Sequence, residues 1–548
     1  MRACKLLKSG RLSRLFRREP MRACSAFFEQ SDLYGTRSEF VKHRIWDSPT
    51  MSDVPLHTLL RTHLLQKRHY LINQTHLNHQ TEQSSLLTQK NPVMCRSDTS
   101  EKATVAEKIE RNDYHTEYRN NPQNVLKLRI DMESSAEELL SQVKTVLETL
   151  CPFLLPDGED ADIRIKPLTG GLSNHLFLVS NANIPETTTP NAVLVRIHPD
   201  GDDPSAENSS SNQEEDFCIV DRAFETKFAA WLASQHEDLP HNKGSMAPTM
   251  YGRFENGRVE EFYPNVRPLA WAEMKVYAPW LAQSMASFHT LDPPPEDILR
   301  RPPSDDDTSS ATIYQTMRAW LKQAYSAQLD DDAKELLDEL AKEWEWLSTL
   351  LAKPPPLKDG DSPIVTEALE FIRRMSITHM DGQPLNILVD LEEDKNDGTA
   401  PALKSLRLID YEYAGWNPIA ADIANTFCEY CEMTNLCADY EKEYPSPAQQ
   451  DEFFWHYLVQ SNPERAQQFS SYSSRQEGTS NTSDAEWELF SATLLQEVAR
   501  FSLLSHLGWS IWSVVKSEED DGIEWDYLVY ARHRMDGYAW AKKKFSIE

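Results

Sequence analysis

Ser376-Ile377-Thr378-His379-Met380-Asp381-Gly382-Gln383-Pro384-Leu385-Asn386-Ile387-Leu388-Val389 is followed, across an acidic tract, by Leu408-Ile409-Asp410-Tyr411-Glu412-Tyr413-Ala414-Gly415-Trp416-Asn417. Two short apolar runs, Ile387 to Val389 and Leu406 to Ile409, flank a polar tract and are expected to pair as a hairpin. Asp381, Asn386 and Asp410 then fall at strand ends, where a scaffold holds them close together. These residue types suit phosphoryl transfer. One carboxylate accepts a hydroxyl proton, while an amide oxygen and a second carboxylate hold Mg²⁺ on phosphates. A hairpin with acidic turns is the plain alternative, and the ordered set of all three residues argues against it.

The spacing His379-x-Asp381 with Asn386 after four further residues resembles the protein-kinase catalytic loop. Met380 stands where that loop has Arg, and Asp410-Tyr411-Glu412 stands where it has Asp-Phe-Gly. Both departures point away from protein kinases. Asp410-Tyr411-Glu412-Tyr413, then Trp416-Asn417 and Asp422-Ile423-Ala424-Asn425, is similar to the choline/ethanolamine kinase family.

Length allows two or three domains, and the chain of 548 residues can bury a large core. A net charge of -30 opposes nucleic acid as a partner, because phosphates are repelled, and suits a small cationic substrate. No run of about 18 apolar residues is present, so no transmembrane helix is expected. The eight cysteines are scattered through a long chain, a pattern that favours reduced thiols and a cytoplasmic protein. Cys428-x-x-Cys431 with Cys437 invites a zinc reading, yet no second Cys pair or His-x₃-His follows at metal-site spacing.

The first 25 residues are basic, acid-poor and interleaved with Leu6, Leu7, Leu12, Leu15 and Phe16, which also admits organelle targeting. Residues 1–130 are expected to form an extension, disordered or locally helical, with order beginning near Ser135. Ser135-x-x-Glu138 is a capping box ahead of Leu139, Leu140, Val143, Val146, Leu147 and Leu150 at helical spacing. Two strands, from Ile163 and through Val179, bracket Thr169-Gly170-Gly171-Leu172-Ser173-Asn174. Glycine lets backbone N–H groups approach an anion there, and Ser173 and Asn174 add donors. The loop resembles the family's Gly-Gly-x-Ser-Asn nucleotide loop. Ala192 to Ile197 reads as a buried strand carrying Arg196, which offers a bidentate fork to phosphates. Glu225, on the helix after an acidic insertion over 200–216, is the expected partner of Arg196. A hairpin over Ala247–Phe254 and Gly257–Pro264 leads to a second lobe, where His289 reads as packing.

Trp509 and Trp512, and Tyr527 and Tyr530, each stand three apart and share a helix face. Aromatic stripes are usually core, but a trimethylammonium group has no N–H donor and is held on π faces. This end of the chain, from Val498 to Trp512 and from Ile523 to Tyr527, is similar to the family's C-terminus.

The resemblance implies a two-lobed, protein-kinase-like α/β (α+β) fold, with a nucleotide lobe over 131–275 and a mainly helical lobe over 276–548. It implies MgATP-dependent phosphorylation of choline in phospholipid synthesis. Asp381 would be the base, and Asn386 and Asp410 the metal ligands. Gly170, Gly171, Ser173, Asn174, Arg196, Gln383 and the main chain of Glu261, Phe262 and Tyr263 would hold ATP. Glu412, Tyr413, Glu429, Trp509, Trp512, Tyr527 and Tyr530 would enclose the ammonium beside Asp381. Thr434 stands where the family often has a cage Tyr. Ethanolamine kinase, an antibiotic phosphotransferase and a catalytically inactive scaffold remain alternatives, and a homodimer is open.

Overall fold

The computed structural model describes residues 117–156, 162–168, 175–185, 190–198, 222–302, 308–357, 360, 362–393, 400–433, 436, 438–469, 482–518 and 525–547. The basic start, the polar tract to residue 116, the acidic insertion and the glycine loop at 169–174 lie outside these residues.

The first lobe is a six-stranded sheet in the order β1-β7-β8-β4-β3-β2. Its strands are β1 (Val125–Leu126), β2 (Ile163–Leu168), β3 (His175–Asn181), β4 (Ala192–Ile197), β7 (Met250–Phe254) and β8 (Gly257–Glu261). A small hairpin, β5 (His236–Leu239) with β6 (Asn242–Ser245), stands apart from it. In β4 the residues Val193, Val195 and Ile197 are fully buried, as a central strand flanked on both edges requires. Helix α1 (Ala136–Leu150) starts as read: Ser135 and Glu138 cap each other reciprocally. Its apolar stripe, Leu139, Val143, Val146, Leu147 and Leu150, is buried. Gly252 in β7 permits that packing, since a Cβ there would lie 2.6 Å from Leu150 Cδ2. Helix α2 (Arg222–Leu232) sets the Phe228 ring against Phe288 and Tyr411 of the second lobe.

Order begins before Ser135, which corrects the expected boundary. β1 pairs in parallel with β7. Asn120 exchanges hydrogen bonds with the Met250 backbone, and Asn256 brackets both polar groups of the Ile130 backbone. Side-chain amides do the pairing here, so no apolar periodicity marks the segment.

The second lobe is mainly helical. Its helices are α3 (Ala278–His289), α4 (Thr312–Ser326), α5 (Asp331–Leu351), α6 (Pro363–Arg373), α7 (Ile419–Cys428), α8 (Pro447–Ser461), α9 (Thr482–Lys516) and α10 (Tyr527–Lys544), with shorter turns between them. The 35 residues of α9 make a rod about 52 Å long, against which α4, α5, α6, α7 and α10 pack. α9 starts at Thr482, although the polar, Ser/Thr-rich sequence from Ala466 to Glu486 reads as a loop. Strands β9 (Arg267–Pro268), β10 (Met375–Thr378), β11 (Ile387–Leu391), β12 (Leu403–Leu408) and β13 (Gly415–Pro418) carry the site. The expected hairpin is β11 with β12, Ile387 lying opposite Leu408. Among the described residues no helix is long and apolar enough to cross a membrane.

Candidate active site

Two strand pairs bring the quoted stretch together. β10 lies antiparallel to β13, with Thr378 opposite Gly415, so the loop leaving β10 starts beside the segment entering β13. Ile409 N donates to the Asn386 carbonyl at 3.0 Å, which sets Asp410 next to Asn386. His379 ties the halves: its ring bonds the Ile409 carbonyl through Nε2 at 3.0 Å and the Asp381 N–H through Nδ1 at 3.2 Å. Only a ring protonated at Nε2 alone satisfies both bonds, and burial lowers the His379 pKa in keeping with a neutral ring.

Asp422, in the first turn of α7, holds the loop from below. Its carboxylate accepts from the N–H groups of His379 at 2.7 Å and Met380 at 2.8 Å. His289 Nε2 bonds the same carboxylate at 2.8 Å, and the Tyr457 hydroxyl bonds His289 Nδ1 at 2.8 Å. Burial works against the Asp422 charge, but these bonds hold its carboxyl below the ordinary range. His289 thus packs, as read, and also positions the loop. Met380 (φ 64°) and Asp410 (φ 68°) are both left-handed non-glycine residues. Such strain persists only where the surroundings over-determine it.

Asp381 is buried and receives Gln383 Nε2 at 3.1 Å and Asn386 Nδ2 at 2.7 Å on the same oxygen. Burial, Glu429 and Asp410 raise its carboxyl well above the ordinary range, which brings it toward the poise of a general base. Gln383, expected beside the phosphates, spends its amide on Asp381. Asn386 donates through nitrogen, which leaves its oxygen for an acceptor role. Asp410 Oδ1 is buried with no hydrogen-bond partner. A buried anionic oxygen without a donor is costly, and a cation relieves it. Asp410 and Asn386 are therefore suited to a hard divalent ion that takes its remaining ligands from phosphates and water. Among the described residues no group of three or more His, Cys, Asp or Glu is arranged to hold a metal alone.

The aromatic residues converge. Tyr413 meets Trp509 edge to face at 5.3 Å, Trp509 meets Trp512 at 5.6 Å, and Trp512 meets Tyr527 at 5.8 Å. Trp512 Nε1 donates to the Tyr413 hydroxyl, and Trp509 Nε1 to Asn425 Oδ1, both at 2.9 Å. Tyr530 is partly buried, and Arg534, Glu429 and Asp381 all act on its phenol. Glu429, the C-cap of α7, pairs at 2.8 Å with the fully buried Arg534, whose other fork reaches Ser505 at 2.9 Å. A cavity of about 270 Å³ lies against Glu412, Tyr413 and Trp509 and runs toward α4.

The charged groups and the inter-lobe segment depart from expectation in three places. Glu225 makes its short ion pairs with Arg258 at 2.6 Å and Arg222 at 3.0 Å, whereas Arg196 stands 3.4 Å from Glu260. The reason is register: Arg196 and Arg258 lie directly opposite across β4 and β8, and two buried like charges need a carboxylate each. Glu412, expected to face an ammonium, has Oε2 on Arg222 at 2.9 Å. Glu261 N–H is taken by the Thr249 carbonyl, so Phe262 and Tyr263 alone follow the last ladder bond. Gly170, Gly171, Ser173, Asn174 and Thr434 lie outside the described residues. Sequence reasoning missed Arg222, Arg258, Glu260 and Arg534. A charged residue inside an aromatic helix was the available signal for Arg534; the others show no pattern.

The fold and catalytic loop define a small-molecule kinase. Residues 165–539 match the family model described as choline/ethanolamine kinase, and the chain belongs to that family, whose members are ATP-dependent. Probable choline kinase 1 of Arabidopsis thaliana is 27% identical over 421 residues, 76% of this chain and 96% of that protein. Choline/ethanolamine kinase of Homo sapiens is 28% identical over 393 residues, 69% of this chain and 80% of the human one. A crystal structure of choline kinase from Cryptosporidium parvum Iowa II superposes with TM-score 0.50 at 22% identity, covering 74% of this chain and 96% of that one.

Proposed function

We propose that the protein transfers the γ-phosphoryl group of MgATP to the hydroxyl of choline. The observation that carries the choice of substrate is the run of edge-to-face rings from Tyr413 through Trp509 and Trp512 to Tyr527. Edge-to-face packing leaves π faces open, and a quaternary ammonium is held on such faces. Glu429, with one oxygen on Arg534, supplies a carboxylate whose charge is already shared, which suits a diffuse cation better than a primary ammonium.

Asp381 accepts the substrate hydroxyl and takes its proton as the new oxygen–phosphorus bond forms and the bond to the ADP oxygen breaks. Gln383 and Asn386 hold Asp381 in place. Asp410 and Asn386 would hold Mg²⁺, which when bound neutralises charge on the phosphates. Arg196 serves the nucleotide phosphates, with the main chain of Phe262 and Tyr263 at the base.

The test compares choline with ethanolamine in the native protein and in Trp512→Ala. A desolvated cation–π contact is worth about 2 kcal/mol, so the choline-to-ethanolamine ratio of kcat/KM should fall by roughly tenfold or more. A ratio that stays put would return the rings to packing. Native preference for ethanolamine would give the function to the runner-up.

A further inference from the structure

Six charged side chains of alternating sign run from the nucleotide side to the ammonium side. Arg196 stands 3.4 Å from Glu260, Glu260 2.5 Å from Arg258, and Arg258 2.6 Å from Glu225. Glu225 stands 3.0 Å from Arg222, and Arg222 2.9 Å from Glu412. The chain crosses between lobes at its last link, because Arg222 opens α2 and Glu412 follows Asp410. Every member is largely buried, so salt screens the links weakly.

Neighbouring links share a charge, so strengthening one weakens the next. We propose that Arg222 is a positioning residue that couples nucleotide binding to ammonium binding by releasing Glu412. This rests on the reading of Arg196 as a phosphate ligand and of Glu412 as an ammonium ligand. The Arg196–Glu260 link is the longest, so it is the end a phosphate wins most readily. Phosphate on Arg196 frees Glu260 to tighten on Arg258. Arg258 then loosens on Glu225, Glu225 tightens on Arg222, and Arg222 loosens on Glu412. An odd number of links gives the coupling its sign: the carboxylate at the far end becomes available to a cation. The two ligands therefore favour each other, and by linkage each does so by the same factor.

The measurement is equilibrium binding of choline with and without a non-hydrolysable MgATP analogue, by calorimetry, which needs no turnover. In the native protein the analogue should tighten choline by about fivefold or more. In Arg222→Met that factor should fall below about twofold, while each ligand alone still binds. Glu225→Gln breaks the chain one link earlier and should show the same loss, so it decides the matter if Arg222→Met does not fold. Direct attraction between phosphate and ammonium survives both substitutions. Coupling kept at the native factor in the variants, or absent from the native protein, overturns the proposal. If choline does not bind the native protein, the proposed substrate is wrong, and the same cycle run with ethanolamine decides the coupling.

Discussion

Glu237 shows at the residue scale how burial alone can set a charge. It sits on β5, accepts from the Asn242 amide, and keeps Oε1 buried without a partner. Burial raises its carboxyl from the ordinary 4.5 to about 7, against the opposing pull of Ser287, Asn242 and Arg407. A carboxyl raised in the folded state stabilises most below its unfolded pKa, and that stability is lost as pH rises through the folded one. The native protein should therefore lose stability between about pH 4.5 and 7 on account of this group. Glu237→Gln cannot ionise and should escape the loss. Its gain over the native protein should approach about 3 kcal/mol at most at pH 8 and vanish near pH 4. Denaturant unfolding at the two pH values checks it, and a gain independent of pH would remove the ionisation argument. Asp381 is raised in the same way, mainly by burial, and in the proposed reaction that carboxyl would take the proton.

Two glycines on the long helices separate propensity from packing at the scale of elements. In α10, a Cβ at Gly537 would stand 2.5 Å from Cε1 and 2.8 Å from Nδ1 of the buried His506 ring on α9. In α9, a Cβ at Gly508 would meet the tip of Met317, Cε at 2.4 Å, and a thioether can swing away. Alanine is the better helix former at both sites by roughly 1 kcal/mol. Gly537→Ala should nevertheless destabilise by about 1–3 kcal/mol, the usual range for overpacking, because the ring is rigid and enclosed. Gly508→Ala should be neutral or mildly stabilising. Thermal unfolding of the two variants side by side tests this, and equal effects would show that the α9–α10 contact is looser than its geometry.

For the whole molecule, the question is where the first lobe starts. Asn120, β1 and Ile130 dock on β7 and on Asn256. A chain beginning at residue 117 should therefore keep the stability of the longer one more closely than a chain beginning at 131. The shorter chain loses the β1 pairing and leaves Asn256 with two buried, unmatched groups, each costing about 1–3 kcal/mol. Its melting temperature and its KM for ATP should both suffer, since β7 and β8 lead into the inter-lobe segment. Equal melting temperatures for the two chains would make residues 117–130 a passive cover.

The arrangement of the proposed catalytic loop was largely legible because local spacing carries much of it. Asn386 and Asp410 flank the β11–β12 hairpin, while His379 and Asp381 precede it, in a loop that the β10–β13 pairing and Asp422 hold in place. The ring pairs were legible for the same reason, since helical periodicity puts Trp509 beside Trp512. Partnerships between distant charges were not. Arg222 and Glu412 are 190 residues apart, and Arg534 and Glu429 are 105 apart. Nothing local distinguishes a carboxylate that will meet an arginine from one that will meet water. Arg196 illustrates the limit: its strand could be read, but strand register placed Arg258 opposite it and handed Glu225 to that neighbour. Periodicity and spacing determined which residues share an element. Which buried charges neutralise each other was decided only when the tertiary structure removed water and left each ion the partners within reach.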